Sequence, residues 1–214
     1  AYENNGDTQP YDFADVILPG ATIIYTYDEM DSYWTPLRTH YKVLITVGTP
    51  ADASIHLQSG WNFISVPKSL AKPAAKDFFA AVDGTGFTPM TWDAENGKWI
   101  PVSKDTQITP LTGYWVYANG PTDIYVYFDK DVTSVPASKY VYEGWNSVGV
   151  SGTNVLSAET AFANVDWALT HVWNVTTGMF DSTFSPNPSA PTELPQYSGL
   201  WLYSNEDKGI PGYL

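Results

Sequence analysis

The chain of 214 residues contains no cysteine, which excludes disulfides, zinc–thiolate sites and thiol nucleophiles. Charged residues are scarce as well: Asp, Glu, Lys and Arg make up 15 % of the sequence, whereas about a quarter is usual in soluble domains. Only ten residues are Lys or Arg, and the formal net charge is −13. Because phosphate recognition needs clustered basic side chains, we expect no nucleic-acid partner.

Long apolar segments are also missing. No run of 18 apolar residues occurs, so the sequence predicts no membrane-spanning helix. The chain starts at Ala1 rather than at Met, which we interpret as the mature end left after removal of a signal peptide. We therefore expect an extracellular or cell-surface location.

Aromatic residues, in contrast, are abundant, with 9 Trp, 15 Tyr and 9 Phe. Several recur in a repeat with a spacing of about 84 residues. Residues 53–66 (ASIHLQSGWNFISV) align with residues 137–150 (ASKYVYEGWNSVGV), and residues 113–119 (GYWVYAN) align with 199–205 (GLWLYSN). The order of the matches is kept, so the sequence predicts two tandem copies of one structural unit.

Each copy is expected to be rich in β-structure. Alternating β-branched and aromatic residues indicate strands, and one short helical segment occurs per copy, in residues 72–82 and 157–165. The predicted fold is therefore mainly β, with repeat unit 1 at residues 41–122 and repeat unit 2 at residues 123–214.

The remaining residues 1–40 are predicted to form an acidic N-terminal arm. They carry seven acidic residues and one Arg, and their one convincing strand spans residues 20–29.

Six tryptophans are expected to form the repeat core, because they occupy equivalent positions in the two copies and large aromatic side chains stabilise small cores when buried. They are Trp61, Trp92, Trp115, Trp145, Trp173 and Trp201. Stacking of some of these rings on sugars is the alternative.

The combination of SGWNFISVP (59–67) with GYWVYAN resembles repeats of archaeal cell-surface proteins, most of all the surface-layer and sheath proteins of methanogens. The resemblance covers residues 41–205. It implies an exported structural protein that packs into a lattice, tube or filament, and it brings no catalytic residues. The second copy departs from the pattern because SVGVSG (147–152) replaces FISVPKS.

A search for catalytic chemistry finds no convincing site, so we expect that the protein is not an enzyme. No two of His40, His56 and His171 have the spacing of a helical metal pair. Ser147 lies one position late for a nucleophile elbow, and it aligns with Phe63.

Two acidic groups could bind calcium, which prefers oxygen ligands, although solvated loops are the simpler interpretation. They are Asp28, Glu29 and Asp31 in the arm, and Asp129 with Asp131 in the second copy. No other cofactor is expected. Asn174 begins a glycosylation sequon, Asn-Val-Thr.

These observations predict a structural protein whose partner is another copy of itself. The predicted assembly strand spans residues 21–27: Ala21, Thr22, Ile23, Ile24, Tyr25, Thr26 and Tyr27. It is apolar and uncharged, contains no Pro and favours β-structure, as segments that pair edge to edge do. We expect it to pair with a sheet, either in its own chain or in a neighbour. The alternative function is a secreted carbohydrate-binding module that binds cell-surface glycans through exposed aromatic residues.

Overall fold

The structure is a computed structural model that describes residues 22–30, 36–46, 50–131, 136–151, 155–186 and 193–212. It is mainly β, with 46 % of residues in strands and 7 % in helices, so the predicted fold class is confirmed. The chain divides into two compact units, Ala1–Pro50 and Ala51–Leu214. None of the helices in the described ranges is long and apolar enough to cross a membrane.

The first unit contains an antiparallel hairpin of two long strands. Strand β1 spans Thr22–Met30 and strand β2 spans Pro36–Thr46. Their register runs from Thr22 opposite Thr46 to Asp28 opposite His40, and it shifts before Met30. Residues 22–27 of the predicted assembly strand therefore pair within their own chain, and Ala21 lies outside the described residues. The predicted boundary after residue 40 falls inside β2, which pairs with β1 instead of opening repeat unit 1.

The first half of the second unit builds one four-stranded sheet and one strand pair. Its elements are β3 (Ala53–Leu57), β4 (Gly60–Ile64), helix α1 (Ala75–Phe78), a 3₁₀ turn (Ala80–Val82), β5 (Met90–Asp93), β6 (Lys98–Pro101), β7 (Tyr114–Ala118) and β8 (Thr122–Val126). The sheet has the order β4-β7-β5-β6, and β3 pairs with β8. All these pairings are antiparallel.

The second half builds a corresponding set. Its elements are β9 (Ser138–Val141), β10 (Gly144–Val148), β11 (Leu156–Ser157), helix α2 (Ala158–Ala161), β12 (Trp167–Asn174), β13 (Met179–Phe184), β14 (Glu193–Leu194), β15 (Leu200–Ser204) and β16 (Lys208–Pro211). The four-stranded sheet has the order β10-β15-β12-β13, while β9 pairs with β16 and β11 with β14.

The two halves thus share one strand order at aligned positions. One difference from the sequence prediction concerns β8, which was expected to open repeat unit 2 at residue 123. It pairs instead with β3 and completes the first half, as β16 completes the second half on β9. An alternating pattern identifies a strand but does not identify its partner, so the predicted boundary came one strand too early.

The Gly-Trp-Asn motif has the same local geometry in both halves. Gly60 and Gly144 both adopt φ +100°, which residues with a side chain rarely adopt. The buried amide of Asn62 donates to the backbone carbonyls of Gln58 and Gly60. Its counterpart Asn146 donates to Tyr142 and Gly144. In each half the asparagine therefore fixes the turn that leads into the four-stranded sheet.

Each half has its own aliphatic core. The first contains Leu57, Val66, Val116, Ile124 and Val126, all essentially inaccessible, together with Phe78 and Phe79 from the helical segment. The second contains Val141, Val148, Phe162, Leu200 and Leu202. Helix α2 is capped by Ser157, whose hydroxyl accepts the Thr160 N–H at 3.2 Å.

Candidate functional site

The most distinctive feature of the second unit is a cluster of aromatic rings between its two four-stranded sheets. We call this cluster the aromatic seam and define it by nine residues: Trp61, Phe63, Trp92, Trp99, Trp115, Trp145, Trp173, Phe180 and Trp201. Adjacent centroids lie between 4.6 Å (Phe63–Trp115) and 6.4 Å (Trp61–Trp115). Most pairs are edge-to-face, the arrangement that the ring quadrupole favours.

Strand alternation explains why these rings lie outside the two cores. Along β7, Tyr114, Val116 and Ala118 are buried, whereas Trp115 and Tyr117 are only half-buried. Strand β15 shows the same alternation. Since successive side chains point to opposite faces, each sheet packs its aliphatic face on its own core and its aromatic face toward the other half.

The six tryptophans predicted as the repeat core are consequently in a different place. None belongs to either aliphatic core of the described chain, where the tryptophan present is Trp167. The six tryptophans do recur at matching positions, but they make their matching contacts with the other half across the seam. The sequence could not reveal this, because both faces of strands such as β7 are apolar.

Contacts across the seam are reciprocal. The indole N–H of Trp92 donates to the carbonyl of Trp145 at 2.9 Å, and the indole of Trp173 donates to the carbonyl of Trp61 at 2.9 Å. The ring of Trp92 lies 5.7 Å from that of Trp201, and the ring of Trp173 lies 4.8 Å from that of Trp115. The two halves therefore make equivalent indole hydrogen bonds and equivalent ring contacts with each other.

The backbones also meet at the seam. The N–H of Gly199 donates to the carbonyl of Phe63 at 2.9 Å, and the N–H of Gly113 donates to the carbonyl of Ser147 at 3.4 Å. A Cβ at Gly199 would lie 2.6 Å from the Phe63 ring, which is closer than real Cβ contacts come. Glycine is thus required there by the close approach of the two halves.

Part of the seam is open to solvent. Trp99, Trp145 and Phe180 are 43 %, 38 % and 38 % exposed. Trp145 also stacks on His171, with centroids 5.3 Å apart and an interplanar angle of 18°. Rings that are held by neighbours and exposed on one side can stack on apolar faces of a ligand.

Two residues of catalytic type next to the seam, Ser147 and His171, both make hydrogen bonds within the protein. Ser147, the position resembling a nucleophile elbow, is 1 % exposed, and its hydroxyl donates to the carbonyl of Gly113 at 2.7 Å. His171 bonds through Nδ1 to the hydroxyl of Thr183 at 2.7 Å. A buried, donating serine cannot reach a substrate carbonyl in this arrangement.

The residues considered for calcium are spread along the chain. Asp28 and Glu29 lie in β1, and Asp31 lies outside the described residues. Asp129 accepts the N–H of Asp131 at 3.0 Å in a local turn. Among the side chains that the structure describes, no group of three or more His, Asp or Glu could hold a metal ion.

The glycosylation sequon lies in the hairpin between β12 and β13. The side-chain oxygen of Asn174 accepts the N–H of Thr176 at 2.9 Å and that of Thr177 at 3.3 Å, which shapes the turn. Asn174 itself is half-buried.

Two features of the second unit escaped the sequence analysis. His56 on β3 forms a hydrogen bond with Asp123 on β8, with Nδ1 and Oδ1 2.9 Å apart. Lys139 on β9 is half-buried, donates to the hydroxyl of Thr112 at 3.2 Å, and has a pKa lowered to about 8 because burial disfavours its charged form. The alignment held a signal for the second, since Lys139 stands where the first half has Ile55.

Comparisons with family models, with curated proteins and with solved structures found no match to this chain.

Proposed function

We propose that the protein is a structural subunit that associates with copies of itself through strand edges. The observation that carries the proposal is the hairpin of β1 and β2. Its strands are 9 and 11 residues long, and within the described residues each pairs only with the other. Both therefore present an outer edge of backbone N–H and C=O groups, which another strand can pair with.

Physical chemistry favours a third strand on such a hairpin. An isolated two-stranded hairpin is marginally stable in water, and three or more strands, or packing against another layer, are needed for independent stability. Residues 21–27 are uncharged and apolar, so they lack the charged residues and prolines that usually protect an edge. Pairing with the corresponding strand of a second copy satisfies the edge and stabilises the hairpin.

The second unit suits the role of a rigid spacer. Its two halves each have an aliphatic core, and the aromatic seam fastens them through reciprocal indole hydrogen bonds and ring contacts. A subunit that transmits position through a lattice benefits from such stiffness. The low charge content and the resemblance of the Gly-Trp-Asn and Gly-x-Trp-x-Tyr elements to surface-layer and sheath repeats support an extracellular location.

The test is electron microscopy of the purified full-length protein over a range of concentrations. We expect regular sheets, tubes or filaments from the wild type and none from Ile24→Lys, because a lysine in the apolar segment protects a strand edge. The matched control is Tyr125→Lys, which changes an aromatic residue that is 62 % exposed on β8. Its assemblies should keep the wild-type dimensions.

Assembly by Ile24→Lys with wild-type dimensions would contradict the proposal, as would dispersed single particles of the wild type under every condition. The same grids prepared with calcium and with a chelator decide whether calcium contributes to the joints. A lattice that disperses on chelation would place acidic residues at the contacts, and an unchanged lattice would remove calcium from the mechanism.

A second candidate function is glycan binding by the exposed part of the seam. The observation that favours it is the solvent exposure of Trp99, Trp145 and Phe180 next to rings that hold them. Retention on insoluble polysaccharide by a protein that stays monomeric would support it. Trp99→Ala should then reduce retention, whereas Tyr140→Ala, which removes an aromatic residue 55 % exposed on β9, should not.

A further inference from the structure

A pocket of about 250 Å³ lies at one edge of the seam, between β3 and β4 of the first half and the segments around β12 and β15 of the second. We call it the seam pocket. Its polar and aromatic lining includes Ser54, His56, Asn62, Trp173, Gln196 and Ser198. Both halves thus contribute to its walls, and the pocket forms only when they are packed together.

The walls are held in place by contacts outside the pocket. The indole of Trp173 is anchored by its hydrogen bond to the carbonyl of Trp61 and by edge-to-face contact with Phe180 at 5.0 Å. His56 is oriented by its bond from Nδ1 to Asp123. A pocket whose aromatic and polar walls are fixed in advance binds a ligand at a smaller entropic cost.

The lining indicates a neutral, polar ligand. It contains no Lys, Arg, Asp or Glu, so it offers neither a charged clamp for an anion nor carboxylates for a cation. It combines hydroxyl, amide and imidazole groups with the ring of Trp173. That mixture suits a molecule with many hydroxyl groups and an apolar ring face.

The aligned residues elsewhere in the second unit supply an internal reference for this pocket. Ile55 and Ser198, which line the pocket, align with Lys139 and Thr112. There the amine of Lys139, from the second half, donates to the hydroxyl of Thr112, from the first half, at 3.2 Å. Ile55 has no polar atom that could reach Ser198 in the same way, so a side-chain hydrogen bond joins the two halves at Lys139 and is missing at the matching position of Ile55.

We propose that the seam pocket binds a single neutral pyranose ring, as a free sugar or as one unit of a glycan. A volume of about 250 Å³ lies just below the range of about 300–1,000 Å³ that is usual for pockets of drug-sized ligands, so it suits one sugar ring. The site shares no residue with the proposed assembly strand. It is also distinct from the exposed rings of Trp99, Trp145 and Phe180.

The test uses the full-length protein and the methyl glycosides of glucose, galactose, mannose and N-acetylglucosamine. Saturation-transfer NMR detects binding of each glycoside. The indole N–H resonance of Trp173 shows whether the glycoside binds in the seam pocket, and this resonance is assigned by its loss in Trp173→Phe. We expect transfer to at least one glycoside and a shift of the Trp173 resonance with a single binding stoichiometry.

The decisive variant is Ile55→Lys, which copies the Lys139 arrangement into the pocket. It should abolish transfer, whereas Lys139→Ile should leave the affinity unchanged. Should Ile55→Lys fail to fold, as judged by its NMR spectrum, His56→Ala at the exposed rim replaces it and should weaken binding several-fold. Absence of transfer from all four glycosides, or transfer that persists unchanged in the pocket variant, overturns the proposal. Electron microscopy of the same variants reports self-assembly separately, so the two proposals can fail independently.

Discussion

Lys139 gives the sharpest quantitative prediction about the second unit. Its amine donates to Thr112, and burial alone lowers its pKa from 10.5 to about 8, with no carboxylate contributing to the shift. In the unfolded chain the ordinary pKa returns. Between pH 8 and 10.5 the unfolded state therefore binds more protons than the folded state, and the contribution of Lys139 to stability rises as the pH rises.

The size of the effect follows from the two pKa values. At about 1.4 kcal/mol for each tenfold change, the full difference amounts to at most about 3 kcal/mol, since a half-buried amine keeps part of its hydration. This cost is present in full below pH 8 and disappears above pH 10.5. At pH 9.5 less than half of it remains.

Replacement by methionine, which is similar in length, removes the charge and tests this reasoning. We expect Lys139→Met to be more stable than the wild type in urea unfolding at pH 7, by up to about 3 kcal/mol less the loss of one hydrogen bond. The gain should shrink by about half or more at pH 9.5. The control is Lys72→Met, a substitution at an exposed lysine, which should change the free energy of unfolding by less than about 0.5 kcal/mol. A gain for Lys139→Met that is equal at both pH values would refute the reasoning.

Three further predictions concern the seam and the turns that lead to it. Gly199→Ala should cost about 1–3 kcal/mol and lower the thermal midpoint, because its Cβ would meet the Phe63 ring. The control Gly120→Ala, whose Cβ would have nothing within 4 Å, should leave the midpoint unchanged. Equal midpoints for the two variants would contradict the close approach at Gly199. Asn62→Ala and Asn146→Ala should each cost about 1–3 kcal/mol in urea unfolding, since each leaves buried backbone groups without their partner. Losses below about 0.5 kcal/mol, typical of surface substitutions, would argue against that role. Trp92→Phe and Trp173→Phe remove the two reciprocal indole hydrogen bonds and should destabilise by similar amounts, about 1 kcal/mol each; a neutral result for one alone would break the equivalence of the two halves.

Much of the local structure could be predicted from the sequence because its signals are local. The strands of the Gly-Trp-Asn and Gly-x-Trp-x-Tyr elements, the two short helices and the cap at Ser157 all depend on residues close in sequence. The partner of β8 depends on a contact with β3, nearly seventy residues away, and no local pattern encodes it. The sequence also predicted correctly that the tryptophans lie on strands. It did not show whether their rings face the aliphatic cores or the aromatic seam.

The features of the proposed binding pocket could not be predicted from the sequence for the same reason. The pair of His56 and Asp123 is 67 residues apart, and the seam pocket draws its walls from both halves. The difference between Ile55 and Lys139 was visible in the alignment, but the sequence did not show which group the lysine amine contacts. A substitution between repeats is informative only when the site around it is known.

The reciprocal seam has a consequence for how the second unit can change. Contacts such as those of Trp92 with Trp145 and of Trp173 with Trp61 tie each half to the other, so a change that loosens one half also removes support from its neighbour. The aligned positions of Ile55 and Lys139 are less constrained, because the first half has an apolar residue where the second has a hydrogen-bonded lysine, and both fit the same strand order. Two halves with the same strand order can therefore keep their packing while they differ at one aligned pair of positions. Variants at Ile55 and Lys139, where the halves differ, test the proposed binding, whereas variants at Trp92 and Trp173, where the halves agree, test stability.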